Sequence, residues 1–154
     1  MMHLYIVTGA NGHLGSTIVR MLLKRGALVR GLILPFESTP ALKGVSYVEG
    51  DVREIESLRP LFENSQDYEV CVIHTAGIID ISEHVSPLLY DVNVNGTRNI
   101  LTLCREYAVK RLLYVSSVHA IPEKDHFQVL HEVRRFSPDW VVGGYAKTKA
   151  ERCV

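Results

Sequence analysis

Five apolar runs of strand length recur along the chain, separated by stretches of helical spacing or by polar turns: residues 4–8, 28–34, 45–48, 70–74 and 112–115. Residues 4–8 are apolar without alternation, the pattern of a strand buried on both faces, and 70–74 read as another buried strand. Between the first two, residues 14–25 place apolar side chains at helical spacing (Leu14, Ile18, Met21, Leu22) and stop before Gly26. Residues 55–62 read as a helix whose course Pro60 disturbs. Residues 87–107 read as a long helix with Pro87 in its first turn. Gly96 interrupts that helix at a cost of about 1 kcal/mol against alanine, so something is expected to approach the backbone there. Residues 36–44 and 118–143 read as loop, and 145–154 as the start of a last helix. Strands alternating with helices pair in parallel through right-handed crossovers. The expectation is an α/β domain over 1–154, a doubly wound parallel sheet of about five strands with helices on both faces.

Charge excludes several partners. Lys and Arg number 17 against 17 Asp and Glu, so the net charge is zero and no nucleic-acid or anionic-membrane partner is expected. The basic doublets Lys110-Arg111 and Arg134-Arg135 read as solvated surface. Cys71, Cys104 and Cys153 form no C-x-x-C pair and read as buried thiols of a reducing compartment. His126 and His131 stand five apart, off one helical face, and no metal site is expected. The apolar start at 4–7 is too short for a signal peptide or a spanning helix, which points to a cytoplasmic protein.

Doubly wound sheets bind ligands beyond the carboxyl ends of their strands, so those ends carry the chemistry. The first strand ends in Thr8-Gly9-Ala10-Asn11-Gly12-His13-Leu14-Gly15, which opens directly into a helix. The spacing is G-x-x-G-x-x-G rather than G-x-G-x-x-G. Its use is the same: a backbone without Cβ atoms lets a pyrophosphate approach, and helix N-terminal N–H groups face it. Asp51-Val52 follows the third strand, where the carboxylate suits either an adenine amino group or a helix N-cap, with Val52 packing on the adenine ring in the first case. His74-Thr75-Ala76-Gly77 closes the fourth strand with small residues, which suits a cofactor ribose or a tight turn. Ser116-Ser117 ends the fifth strand, and Tyr145 and Lys149 follow at i and i+4 on one helical face. An ammonium beside a phenol favours the phenolate. Tyr145 can then pass a proton to or from a substrate oxygen that a serine hydroxyl holds in line.

With these residues in place, the chain resembles the extended branch of the short-chain dehydrogenase/reductase superfamily. The residues that carry the resemblance are T-G-A-N-G-H-L-G at 8–15, G-D-V at 50–52, H-T-A-G at 74–77, V-N-V-N-G-T at 92–97, Y-V-S-S at 114–117 and Y-A-K-T-K at 145–149. They run in family order over essentially the whole chain and are similar above all to dihydroflavonol-reductase-like and 3β-hydroxysteroid-dehydrogenase-like members. The resemblance implies a Rossmann-type fold that binds NAD or NADP. It implies that Gly9, Gly12 and Gly15, with Asn11, His13 and Leu14, cradle the pyrophosphate. Asp51 and Val52 would meet adenine, and Thr75, Ala76 and Gly77 would line the cofactor cleft. Ser117 would orient a carbonyl, Tyr145 would be the acid/base, and Lys149 would hold the nicotinamide ribose. Asn93 matches an asparagine of the proton path, or makes a structural hydrogen bond to the sheet.

The chain departs from the family pattern twice. Arg30-Gly31-Leu32-Ile33-Leu34-Pro35 has no acid or arginine at the strand end to read the ribose 2′ position, so NAD and NADP stay open, with Arg30 and Glu37 the side chains in question. Extended members are roughly twice as long and carry a C-terminal substrate lobe, so the chain is expected to be a fragment or a shortened product. The implied activity is hydride transfer between a nicotinamide and a small-molecule carbonyl or secondary alcohol. Epimerase or dehydratase chemistry by transient oxidation and a non-catalytic NAD(P)-binding or redox-sensing module are the alternatives. Related enzymes pair through two long helices, which allows a homodimer.

Overall fold

The computed structural model describes residues 2–38, 42–124 and 128–151. Pro40, His126, Cys153 and the expected helix end at 152–154 lie outside the described residues. The chain divides into two compact units, Met1–Gly77 with Gly96–Val115, and Ile78–Asn95 with Ser116–Val154.

The first unit holds β1 (Met2–Thr8), α1 (His13–Lys24), β2 (Leu28–Ile33), β3 (Val45–Glu49), α2 (Ile55–Leu58), β4 (Tyr68–His74), α4 (Thr97–Glu106) and β5 (Arg111–Tyr114). The second holds α3 (Pro87–Tyr90) and α5 (Gly144–Glu151). All strand pairs are parallel, in the order β3-β2-β1-β4-β5. The order reverses between β1 and β4, the switch point of a doubly wound sheet. Thr8 stands opposite His74 in that register.

Alternate side chains of a strand face opposite sides, and both sides of the inner strands β2, β1 and β4 are covered. Val7, Val29, Ile33 and Ile73 pack with Val19 of α1 and with Ala10 into one core. Leu4, Ile6, Leu32, Val70 and Val72 are buried on the other side, as are Leu58, Leu61, Phe62, Ile100 and Leu103 of the segments that cross it. The ring of Phe62 stacks on Tyr107 at 5.2 Å. This two-sided burial is why β1 and β4 read as nearly unbroken apolar runs, whereas the edge strands β3 and β5 bury no residue.

The helices expected at 55–62 and 87–107 are both interrupted. Pro60 lacks the N–H that an α-helix needs, so α2 stops at Leu58 and continues as a 3-10 turn over Arg59–Leu61. The long helix consists of α3, a π-helical turn over Asp91–Gly96, and α4. What approaches Gly96 is Val52: a Cβ added to the glycine would sit 2.6 Å from Val52 Cγ2 and 3.0 Å from its Cβ. Gly96→Ala is therefore expected to cost about 1–3 kcal/mol of stability by overpacking. Adding Val52→Ala should return part of that loss, which denaturant unfolding of the single and double variants measures as a coupling.

In the second unit, α5 packs on the 3-10 turns Val118–Ala120 and Pro138–Trp140 and on α3. Its core is small, made by Ala120, Val141, Ala146 and Ala150 with Phe136 against them. Gly144 starts α5 in contact with the chain at His84, and its N–H donates to the Ser82 carbonyl at 3.1 Å.

Candidate functional site

The glycine turn of the first unit is built by backbone contact. Gly9 adopts φ +64°, and a Cβ there would lie 3.1 Å from Ala76 Cα and N. The Gly12 N–H donates to the Gly9 carbonyl at 3.0 Å, and Ser16 N–H to the Gly12 carbonyl at 2.9 Å begins α1. Gly15 is buried beneath the turn, where a Cβ would overlap the Gly9 carbonyl oxygen and lie 2.8 Å from its carbon. Asn11, Gly12, His13 and Leu14 are exposed above it. Helix α1 begins without a side-chain cap and without an acid in its first turn. Its leading N–H groups therefore keep their partial positive charge for an external anion, which fits a diphosphate.

Beside the turn, His74 ties three elements together. Its Nδ1 lies 2.7 Å from Thr8 Oγ1, its Nε2 lies 3.0 Å from Thr97 Oγ1, and its ring stacks on Tyr114 at 5.8 Å. Thr75 Oγ1 donates to the Thr8 carbonyl at 2.6 Å, and the Ala76 N–H to Thr8 Oγ1 at 3.2 Å. These bonds fix the backbone of 74–76 against the glycine turn. Sequence reasoning saw small residues here and missed His74 as the tie, because its partners are 66 and 23 residues away.

Asp51 does not cap a helix. The N-cap of α2 is Glu54, which makes no side-chain cap bond. The Asp51 carboxylate instead folds back on Arg53, accepting from its N–H at 2.9 Å and from Nη2 at 2.6 Å. The Arg53 guanidinium holds this carboxyl below the usual carboxylate range. Val52 is buried against Gly96, and Asn99 Nδ2 donates to its carbonyl at 2.9 Å.

In the second unit, Ser117 Oγ accepts from the His119 N–H at 3.2 Å, which leaves the hydroxyl proton to be donated elsewhere. The His119 ring meets Tyr145 edge-on at 6.2 Å. Lys149 is 5% exposed, and its Nζ lies 5.8 Å from the centroid of the half-buried Tyr145 ring. The i, i+4 spacing thus puts the ammonium over the phenol. Asn93 is 1% exposed and braces the helix that bears them. Its Oδ1 accepts from the Ile78 N–H at 2.8 Å, and its Nδ2 donates to the Ile78 carbonyl at 3.0 Å and to Thr148 Oγ1 at 3.1 Å. These structural hydrogen bonds run to the segment after β4 and to α5, where a bond to the sheet was the alternative expected for Asn93. Asn93→Ala strands buried partners and is expected to cost about 1–3 kcal/mol, read by denaturant unfolding.

The remaining groups are less reactive. Cys104 is buried, and burial pushes its thiol up to about 12. Cys71 is half-buried and shifted up for the same reason. Among the described residues, no group of three or more His, Cys, Asp or Glu could hold a metal ion, and no helix is long and apolar enough to cross a membrane.

Residues 6–154 match the profile of the 3-beta hydroxysteroid dehydrogenase/isomerase family. Among individual proteins, the chain is 38% identical over 118 residues to sterol demethylase protein B of Methylococcus capsulatus, a match that covers 75% of this chain and 35% of that one. It is 33% identical over 126 residues to 3 beta-hydroxysteroid dehydrogenase type 7 of Mus musculus, covering 76% of this chain and 33% of the relative. The match therefore spans about a third of the length of these curated relatives. Among solved structures, it is similar to the UDP-glucose 4-epimerase of Thermus thermophilus in complex with NAD, with 27% identity, a TM-score of 0.72, and coverage of 96% of this chain and 48% of the epimerase.

Proposed function

The chain belongs to the 3-beta hydroxysteroid dehydrogenase/isomerase family, and from that premise we propose that it is an oxidoreductase acting on a secondary alcohol or carbonyl with NAD(P). The names of the relatives, a sterol demethylase protein and a 3 beta-hydroxysteroid dehydrogenase, support a sterol-like substrate. Gly9, Gly12 and Gly15 hold the diphosphate of the cofactor, with Asn11, His13 and Leu14 around it. Asp51 and Val52 lie by its adenine, and Thr75, Ala76 and Gly77 along its sugar. When bound, the nicotinamide supplies the hydride donor or acceptor.

The protein's own part is the proton. Tyr145 gives its phenolic proton to the substrate oxygen in reduction and takes it back in oxidation. Ser117 donates a hydrogen bond to the same oxygen. Lys149 stabilises the negative charge that develops on the phenol oxygen as the proton leaves, and it binds the nicotinamide ribose. The observation that carries this reading is the Lys149 ammonium held, nearly buried, over the Tyr145 ring. Free thiols at Cys71 and Cys104 support a cytoplasmic setting.

The test is to incubate the chain with NAD or NADP and a panel of 3β-hydroxysterols and smaller secondary alcohols, following nicotinamide absorbance. Formation of reduced cofactor with at least one alcohol is expected, and a panel without any change counts against the reading. The likeness to the Thermus epimerase favours a second reading, in which oxidation is transient. Interconversion of a sugar nucleotide without net cofactor change would select it.

A further inference from the structure

The sheet's second strand ends in Ile33-Leu34-Pro35, with neither an acid nor an arginine in place to read the ribose 2′ position. The acid comes instead from three residues beyond Leu34. The Glu37 N–H donates to the Leu34 carbonyl at 3.1 Å, with Phe36 at φ +72° between them, so the chain reverses as soon as it leaves β2. That reversal returns the Glu37 carboxylate to the strand end. Its Oε2 accepts from the Leu34 N–H at 3.3 Å and from Asn11 Nδ2 at 3.4 Å. Asn11 belongs to the glycine turn, so one carboxylate spans from the end of β2 to the turn that faces the diphosphate. In doubly wound sheets the adenosine ribose lies between these two places.

We propose that Glu37 makes this dinucleotide site selective for NAD over NADP, an inference that rests on the NAD(P) reading above. Both carboxylate contacts fall on Oε2, and Oε1 has no partner among the described residues. An ionised carboxylate only accepts hydrogen bonds. It matches a ribose 2′-hydroxyl, which can donate, and repels a 2′-phosphate, which brings two negative charges and no donor. Arg30, the other side chain in question, does not offset that repulsion. Its Nη1 is turned to the carbonyls of Leu61 at 2.9 Å and Glu63 at 2.6 Å.

The experiment titrates the 154-residue chain with NADH and with NADPH by nicotinamide fluorescence, beside Glu37→Gln. The wild-type chain is expected to bind NADH at least about 10-fold more tightly, since like charges brought together in a site repel. Glu37→Gln keeps the acceptor and the shape while removing the charge. It should shrink the preference to about threefold or less, chiefly by tightening NADPH, and raised salt should shrink it in the wild-type chain alone. Equal affinities in the wild-type chain, or a preference that Glu37→Gln leaves unchanged, would overturn the role of Glu37 and leave the dinucleotide reading standing. Binding of neither cofactor would overturn both.

Discussion

Replacing Gly15 with alanine is expected to abolish dinucleotide binding and to lower the unfolding free energy by about 3 kcal/mol, the upper end of ordinary overpacking. The added methyl would have to occupy the space of the Gly9 carbonyl oxygen, with Ala10 Cα 3.1 Å away. The three nearest atoms it meets are all backbone, so relief cannot come from a side chain swinging aside there. Relief requires that α1 lift from the turn or that the turn change shape, and either movement re-aims the N–H groups at the start of the helix. Gly12→Ala is the control. Its methyl would meet a single oxygen at 3.2 Å, at a residue whose φ of −71° any side chain adopts. Its cost should stay within about 1 kcal/mol. Thermal unfolding separates the two variants, and NADH titration follows binding by Gly15→Ala. If Gly15→Ala melts with the wild-type chain and binds as well, the close packing of turn and helix is not what shapes this end of the sheet.

Tyr145→Phe carries the second large effect, this time on turnover. The substitution removes one oxygen from a half-buried ring and keeps the ring that meets the edge of His119 and the ammonium of Lys149. Folding and cofactor affinity should change little. Loss of a positioned acid/base group lowers turnover by about 10²–10⁴-fold. Lys149→Met should behave differently, weakening cofactor affinity and turnover together, because the ammonium serves both the sugar and the phenol. Steady-state rates with cofactor titration distinguish the pair. Undiminished turnover in Tyr145→Phe would remove the phenol from the mechanism.

What could be read from the amino acids, and what could not, follows the distance over which each feature is determined. Strands β1 and β4 were legible because burial on both faces demands nearly uninterrupted apolar runs, as in 70–74, whereas the edge strands β3 and β5, which bury no residue, were legible only as short apolar runs between turns. The glycine turn was legible because Gly9 and Gly15 answer local demands of backbone shape, and Gly96 announced a close neighbour without naming Val52. Pro60 broke its helix as the missing N–H requires. The π-helical turn over Asp91–Gly96 was not foreseen. The one mid-helix signal was Gly96, whereas Asn93 within that turn is held by Ile78 and Thr148, far off in the chain. Asp51 fits local cap preferences, yet the guanidinium two residues on takes its carboxylate. Glu37 was named beside Arg30 without a choice between them, because the rule for an acid at a strand end counts positions along the strand, and a turn brings this one back from beyond it.

The central place of β1 has a consequence for how the chain is made. Strand β1 leaves the ribosome before β2 and β3, which build on one of its edges and follow soon after. Its other edge pairs with β4, which begins 60 residues after β1 ends. At about 5–20 residues per second, that edge waits roughly 3–12 s for its partner during synthesis. Throughout the delay Leu4, Ile6 and Val7 stand beside unpaired backbone, a surface open to mispairing with neighbouring nascent chains. Translation speed between codons 9 and 67 therefore sets how long the nascent protein needs a chaperone's protection.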